Sequence, residues 1–128
     1  MTLYLLACLQ EKDTQEQSYF DVIEETLELG QEWRVLIELK EAENPRVQYK
    51  VQEETDSVQF SLFDAEGQEI WIQDSSTPET LSYQPFVNCT DRCSFVSKVV
   101  YLDGESPITI SLSLYADVYA SSLLTSLP

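Results

Sequence analysis

The strongest constraint on how this chain can fold is a side-chain alternation of period two that runs through most of its length. From Ile108 onward, Ile108, Ile110, Leu112, Leu114, Ala116 and Val118 alternate with Thr109, Ser111, Ser113, Tyr115, Asp117 and Tyr119. Successive side chains of a strand point to opposite faces, so this stretch reads as one long strand with a core face and a wet face. Trp33, Val35, Ile37 and Leu39 alternate in the same way with Arg34, Leu36, Glu38 and Lys40. Gly30 precedes that segment and Glu41-Ala42-Glu43-Asn44-Pro45 follows it, so both of its ends carry turn chemistry.

The remaining segments follow the same rule at shorter length. Val47, Tyr49 and Val51 form one apolar row, and Val58, Phe60 and Leu62 another, with the polar Glu53-Glu54-Thr55-Asp56-Ser57 between them. Asp64-Ala65-Glu66-Gly67-Gln68 then turns into a strand from Glu69 to Gln73, a hairpin signature. Leu81 to Val87 and Ser94 to Leu102 are strands on either side of a cysteine-bearing turn, with Pro85 suited to an edge because it cannot donate to a ladder. Tyr19 to Glu28, where Val22, Ile23 and Leu27 also fit helical spacing, is read as a strand. Ala120 to Pro128 has no convincing period and reads as a loose tail.

The expectation is an all-β fold, an antiparallel β-sandwich of seven to eight strands, immunoglobulin-like or jelly-roll-like, with a closed barrel as the alternative. A chain of 128 residues can bury one such core. The sandwich is assigned to residues 18–119, a signal remnant and polar tether to 1–17, and the tail to 120–128.

Charge narrows the function. There are 23 Asp and Glu against 7 Lys and Arg, a net charge of −16, and no His. Affinity for nucleic acid comes largely from Lys and Arg displacing condensed counterions, so nucleic acid is a poor partner for this surface. Without His, Ser-His-Asp and Cys-His arrangements cannot be built, and no glycine-rich phosphate loop or dinucleotide fingerprint occurs. Carboxylate pairs are abundant but read as solvated surface. The chain is therefore expected not to be an enzyme.

Cys89 and Cys93 enclose a short polar stretch, Thr90-Asp91-Arg92. A turn can bring two such Cα atoms to the roughly 4.4 to 6.8 Å that a disulfide needs. A loop this small would add only about 2 kcal/mol in the chain-entropy model, so the bridge would set a turn without holding the fold together. Structural zinc calls for four ligands, and there is no second cysteine pair and no His to supply them. Asn88-Cys89-Thr90 also fits a glycosylation acceptor, a reading that applies only in a eukaryotic secreted protein.

The N-terminal Leu5-Leu6-Ala7-Cys8 resembles the lipobox of bacterial lipoproteins, although the apolar stretch before it is shorter and less basic at its start than a full signal. The resemblance implies lipidation of Cys8, followed by a polar tether from Gln10 to Ser18, and a location in the bacterial periplasm or at the cell surface. The alternative is a first strand with Cys8 as a small core residue. The stretch from Val58 to Ile70 resembles a hairpin of secreted β-sandwich modules, including the bacterial pre-peptidase C-terminal family and the Golgi-dynamics family. Those families mostly bind, present or assist other proteins, which implies an accessory module.

Two further features bear on ligands. Asp64 with Glu66 and Asp103 with Glu105 sit in glycine-containing turns, and loop carboxylates are what calcium requires, although neither turn matches an EF-hand. Calcium is the only cofactor the residues suggest. Trp71, Tyr115 and Tyr119 could furnish an exposed binding surface, with core packing as the default for each. The sequence thus points to a non-enzymatic binding or accessory domain of the cell envelope that contacts a protein or glycan and meets the membrane only through a lipid anchor. A structural subunit of an envelope assembly and a calcium-binding sandwich are the alternatives.

Overall fold

A computed structural model describes residues 19–53, 57–75, 80–83, 88–118 and 121–128. These form nine strands and no helix. They are β1 (Tyr19–Leu27), β2 (Glu32–Glu43), β3 (Arg46–Val51), β4 (Ser57–Phe63), β5 (Glu69–Ser75), β6 (Thr80–Tyr83), β7 (Asn88–Asp103), β8 (Ile108–Ala116) and β9 (Ser121–Leu127). They pair antiparallel in two sheets, one of five strands in the order β9-β2-β7-β4-β5 and one of four in the order β1-β8-β3-β6.

The first eight strands are nested: β4 pairs with β5, β3 with β6, β2 with β7 and β1 with β8. A long hairpin wrapped on itself so that successive nested pairs fall alternately in two sheets is the jelly roll. The immunoglobulin-like alternative has a different strand order and is not the one observed.

Alternation decides what lies between the sheets. Trp33, Val35, Ile37 and Leu39 of β2, Val58, Phe60 and Leu62 of β4, Val47, Tyr49 and Val51 of β3, and Ile108, Ile110, Leu112 and Leu114 of β8 are all buried. Tyr49 crosses the core. Its ring centroid lies 4.8 Å from that of Phe60 and 5.8 Å from that of Trp71, and its hydroxyl is 2.6 Å from Ser97 Oγ on the opposite sheet. Each of these two buried hydroxyls thereby has a partner, as polar groups out of reach of water require. Burial pushes the Tyr49 phenol well above its ordinary pKa, and the Ser97 bond offsets only part of that.

Three expectations are corrected. Val118 is 46% exposed because β8 ends at Ala116; at an isolated bridge its carbonyl accepts from the Glu43 N–H, while the Glu43 carbonyl accepts from the Asp117 N–H. The cysteines do not separate two strands; β7 runs through them from Asn88 to Asp103. The register there shifts between Lys40 and Ala42, so β7 carries one residue more than β2, and Glu41 takes φ 55° on the β2 side. An extra residue on one strand is how a β-bulge bends a ladder without ending it.

The C-terminal stretch is a strand where a loose tail was expected. Ser121–Leu127 pairs in unbroken register with Lys40 to Arg34, and Leu124 packs against the core. The buried indole N–H of Trp33 donates to Ser126 Oγ at 3.0 Å. A buried Trp needs an acceptor, and β9 supplies it.

Gly104, in the turn from β7 to β8, has φ 156° and lies under the Tyr101 ring. A Cβ at Gly104 would collide with the Tyr101 hydroxyl, which donates to the Ser106 carbonyl at 2.7 Å.

Candidate binding face

Apart from Ser97 the inward rows of β2 and β7 are apolar, so their outward rows carry what the core excludes. Read through the register of the two strands, Arg34 lies opposite Lys98, Leu36 opposite Val96, Glu38 opposite Ser94, and Lys40 opposite Arg92. Four of the chain's 7 Lys and Arg therefore project from one face as two like-charged cross-strand pairs. Six residues of strand separate those pairs, about 20 Å at about 3.4 Å per residue.

Like charges directly opposite one another on a sheet are destabilising. Of these four cations only Arg34 has a carboxylate within 4.0 Å among the described residues, a single contact with Glu32 at 3.8 Å between two half-exposed side chains. Lys98 Nζ lies 5.8 Å from the centroid of the Phe63 ring.

Between the charged pairs the face is apolar beside Arg34–Lys98, at Leu36 and Val96, and polar beside Lys40–Arg92, at Glu38 and Ser94. Leu36, Val96 and Phe63 lie side by side on β2, β7 and β4, with Thr125 of β9 extending the row. The β4–β5 turn borders two clefts on this face. One, of about 440 Å³, is lined by Arg34, Lys98, Phe63 and Val96 together with Glu32 and Asp64. The other, of about 410 Å³, brings Arg92 together with the carboxylates of Glu38, Asp64 and Glu66. The first balances cation against carboxylate over an apolar floor; the second is acidic.

The residues singled out by sequence fall in separate places. Cys89 and Cys93 form a disulfide with Cα atoms 6.0 Å apart, beneath the Lys40–Arg92 end of this face. Cys8 and Tyr119 lie outside the described residues. Trp71 points inward, half-buried, with its ring stacked on Tyr49, while Ile72 on the opposite parity is exposed. Tyr115 lies on the other sheet, 6.0 Å from the Arg46 guanidinium carbon, and does not meet Trp71.

The four turn carboxylates do not converge either. Asp64 follows the Phe63 end of β4, whereas Asp103 is opposite Ser57 at its other end. The Asp64 carboxylate accepts from the backbone N–H groups of Glu66 and Gln68, at 3.0 and 2.8 Å, and so shapes its own turn. No group of three or more Cys, Asp or Glu among the described residues is placed to hold a metal ion.

No family model matches the chain, and no curated protein matches it at a significant level. Among solved structures it is similar to a chain from the structure of infectious bursal disease virus Gt strain, at 8% identity and a TM-score of 0.23, over 87% of this chain and 36% of that one. This chain thus spans about a third of that protein's length. A likeness so slight carries no argument.

Proposed function

We propose that this chain is a non-enzymatic, extracytoplasmic binding module that holds another protein against the outer face of its five-stranded sheet. The observation that carries the reading is the pairing of Arg34 with Lys98 and Lys40 with Arg92 around Leu36 and Val96, in a chain of net charge −16. A sheet serving stability alone would place some of its many carboxylates opposite those cations. A partner that brings its own carboxylates and apolar side chains to this face supplies what the sheet lacks.

A protein partner suits this face better than a glycan. One side of the Trp71 ring is taken by Tyr49, and Tyr115 lies on the other sheet, so no aromatic platform is assembled from them. The disulfide fits an oxidising compartment, since cytosolic thiols are kept reduced. Lipidation of Cys8 would tether the module in the cell envelope.

Site-specific photocrosslinking in the native host tests the reading. A photoreactive residue at Leu36 or Val96 is expected to give one discrete protein adduct, and the same probe at Gln48, on the other sheet, none. Equal labelling from both faces, or no adduct from either, would overturn it.

A further inference from the structure

Among the described residues each sheet leaves two strand edges, and three of the four carry a device that discourages another strand from adding. β1 bears Asp21, Glu24 and Glu25. β5 bears Glu69 and Asp74, with a register shift where it meets β4 at Leu62 and Phe63. β6 is only four residues long. Charge, bulges and shortness are the usual protections of an exposed edge.

β9 has none of them. Its seven residues, Ser-Ser-Leu-Leu-Thr-Ser-Leu, carry no charge and no proline, and they run beside β2 without a register shift. Among the described residues no strand pairs with its outer edge, and Leu123 is 55% exposed. Its Ser122 Oγ donates to Oδ2 of Asp21 on β1 at 3.4 Å.

We infer that β9 is a dimerisation edge at which a second copy of this chain adds antiparallel. The charge balance favours a copy of itself here. Two chains of −16 repel wherever carboxylates face each other, and among the described residues β9 is the edge strand with a full-length, uncharged row to offer. Its side chains are also self-complementary. Continuing the alternation across a two-fold axis at Leu124 places Leu124 against Leu124, Ser122 against Ser126, and Leu123 against Thr125. Each pair shares a face, as strand geometry demands. The two five-stranded sheets join into one continuous sheet, and the outer faces of both copies lie on the same side. This inference does not depend on what binds those faces.

The test is the association state of the full chain by sedimentation equilibrium, with Leu123→Glu and Thr125→Lys as variants. The wild-type chain is expected to dimerise, and more tightly as salt rises, because screening relieves the repulsion between two acidic copies. Leu123→Glu weakens the dimer at least about tenfold, and mixing it with Thr125→Lys restores a heterodimer through the new Glu–Lys pair. Hydrogen exchange of the wild-type chain needs no variant: amides of 121–127 gain protection as concentration rises. A chain that stays monomeric up to about 1 mM, or a dimer whose new protection lies outside β9, would overturn the inference.

Discussion

The two outward faces of the sandwich are built from the same alternation and end in opposite states. On the four-stranded sheet, outward polar groups satisfy one another. Gln52 Nε2 donates to Glu24 Oε2 at 3.2 Å and to Ser111 Oγ at 3.3 Å, Ser111 Oγ donates to the same Glu24 oxygen at 3.1 Å, and the Thr26 and Thr109 hydroxyls are 3.2 Å apart. On the five-stranded sheet, Arg34 faces Lys98 and Lys40 faces Arg92, with Leu36–Val96 and Glu38–Ser94 between them. One face closes on itself, and the other keeps like charges in apposition at some expense of stability. That contrast is the ground on which the five-stranded face is proposed to take a partner.

The largest expected effect removes the link beneath both faces. Tyr49→Ala deletes the ring that packs on Phe60 and Trp71 and is expected to destabilise by about 3 to 5 kcal/mol. Tyr49→Phe leaves Ser97 buried without its partner, at a cost of about 1 to 3 kcal/mol. Denaturant melts of the two variants and of Ser97→Ala measure this. A neutral Tyr49→Phe would mean that water reaches Ser97 and that the sheets are less tightly closed than their burial implies.

A smaller effect separates stability from binding. Lys98→Glu turns the Arg34–Lys98 apposition into an opposite-charge pair and is expected to stabilise the fold by about 0.2 to 1 kcal/mol, while abolishing the adduct formed from Leu36. A melt and a crosslink on the same variant decide it. If stability falls with the charge reversal, the cations are held by contacts within the chain and the contrast between the faces loses its meaning.

The smallest effect belongs to the corner where β2 turns into β3. The Asn44 amide donates to Asp117 Oδ2 at 2.7 Å, and Arg46 lies 3.3 Å from Oδ1. The Asn44 bond, with help from Arg46 and against a partial burial cost, holds the Asp117 carboxyl below the usual carboxylate range. A carboxylate with a depressed folded-state pKa stabilises above its unfolded value, about 3.9, and that contribution is lost as pH falls through the folded value. Thermal midpoints are thus expected to fall less steeply below about pH 4 for Asp117→Asn than for the parent chain. Parallel curves would remove Asp117 from the account of that corner.

The strands of the sandwich were largely legible because each carries its own pattern. Trp33 to Leu39 and Ile108 to Leu114 announce one buried row each, and both rows are buried. The tail was not legible, because the adjacent Leu123 and Leu124 face opposite sides and cancel any period-two signal. Its assignment rests on pairing with β2 and on the acceptor that Ser126 gives Trp33. The cysteine segment read as a turn because its residues are polar, yet a bulge lets the ladder continue through it. Trp71 read as a surface candidate because it stands opposite Ile70 and Ile72 in strand parity; its stacking on Tyr49, with Ile72 left exposed, depends on how the two sheets meet.

Alternation by itself determined an all-β chain and the inward rows of its principal strands, because these depend only on residue identity and on neighbours two positions apart. The jelly-roll order, the bare edge of β9 and the apposition of Arg34 with Lys98 were decided by tertiary structure alone. Parity tells which way a side chain points, but its neighbour on the next strand depends on which strands meet and in what register. That choice is made by the closing of the whole core, between segments far apart in the chain.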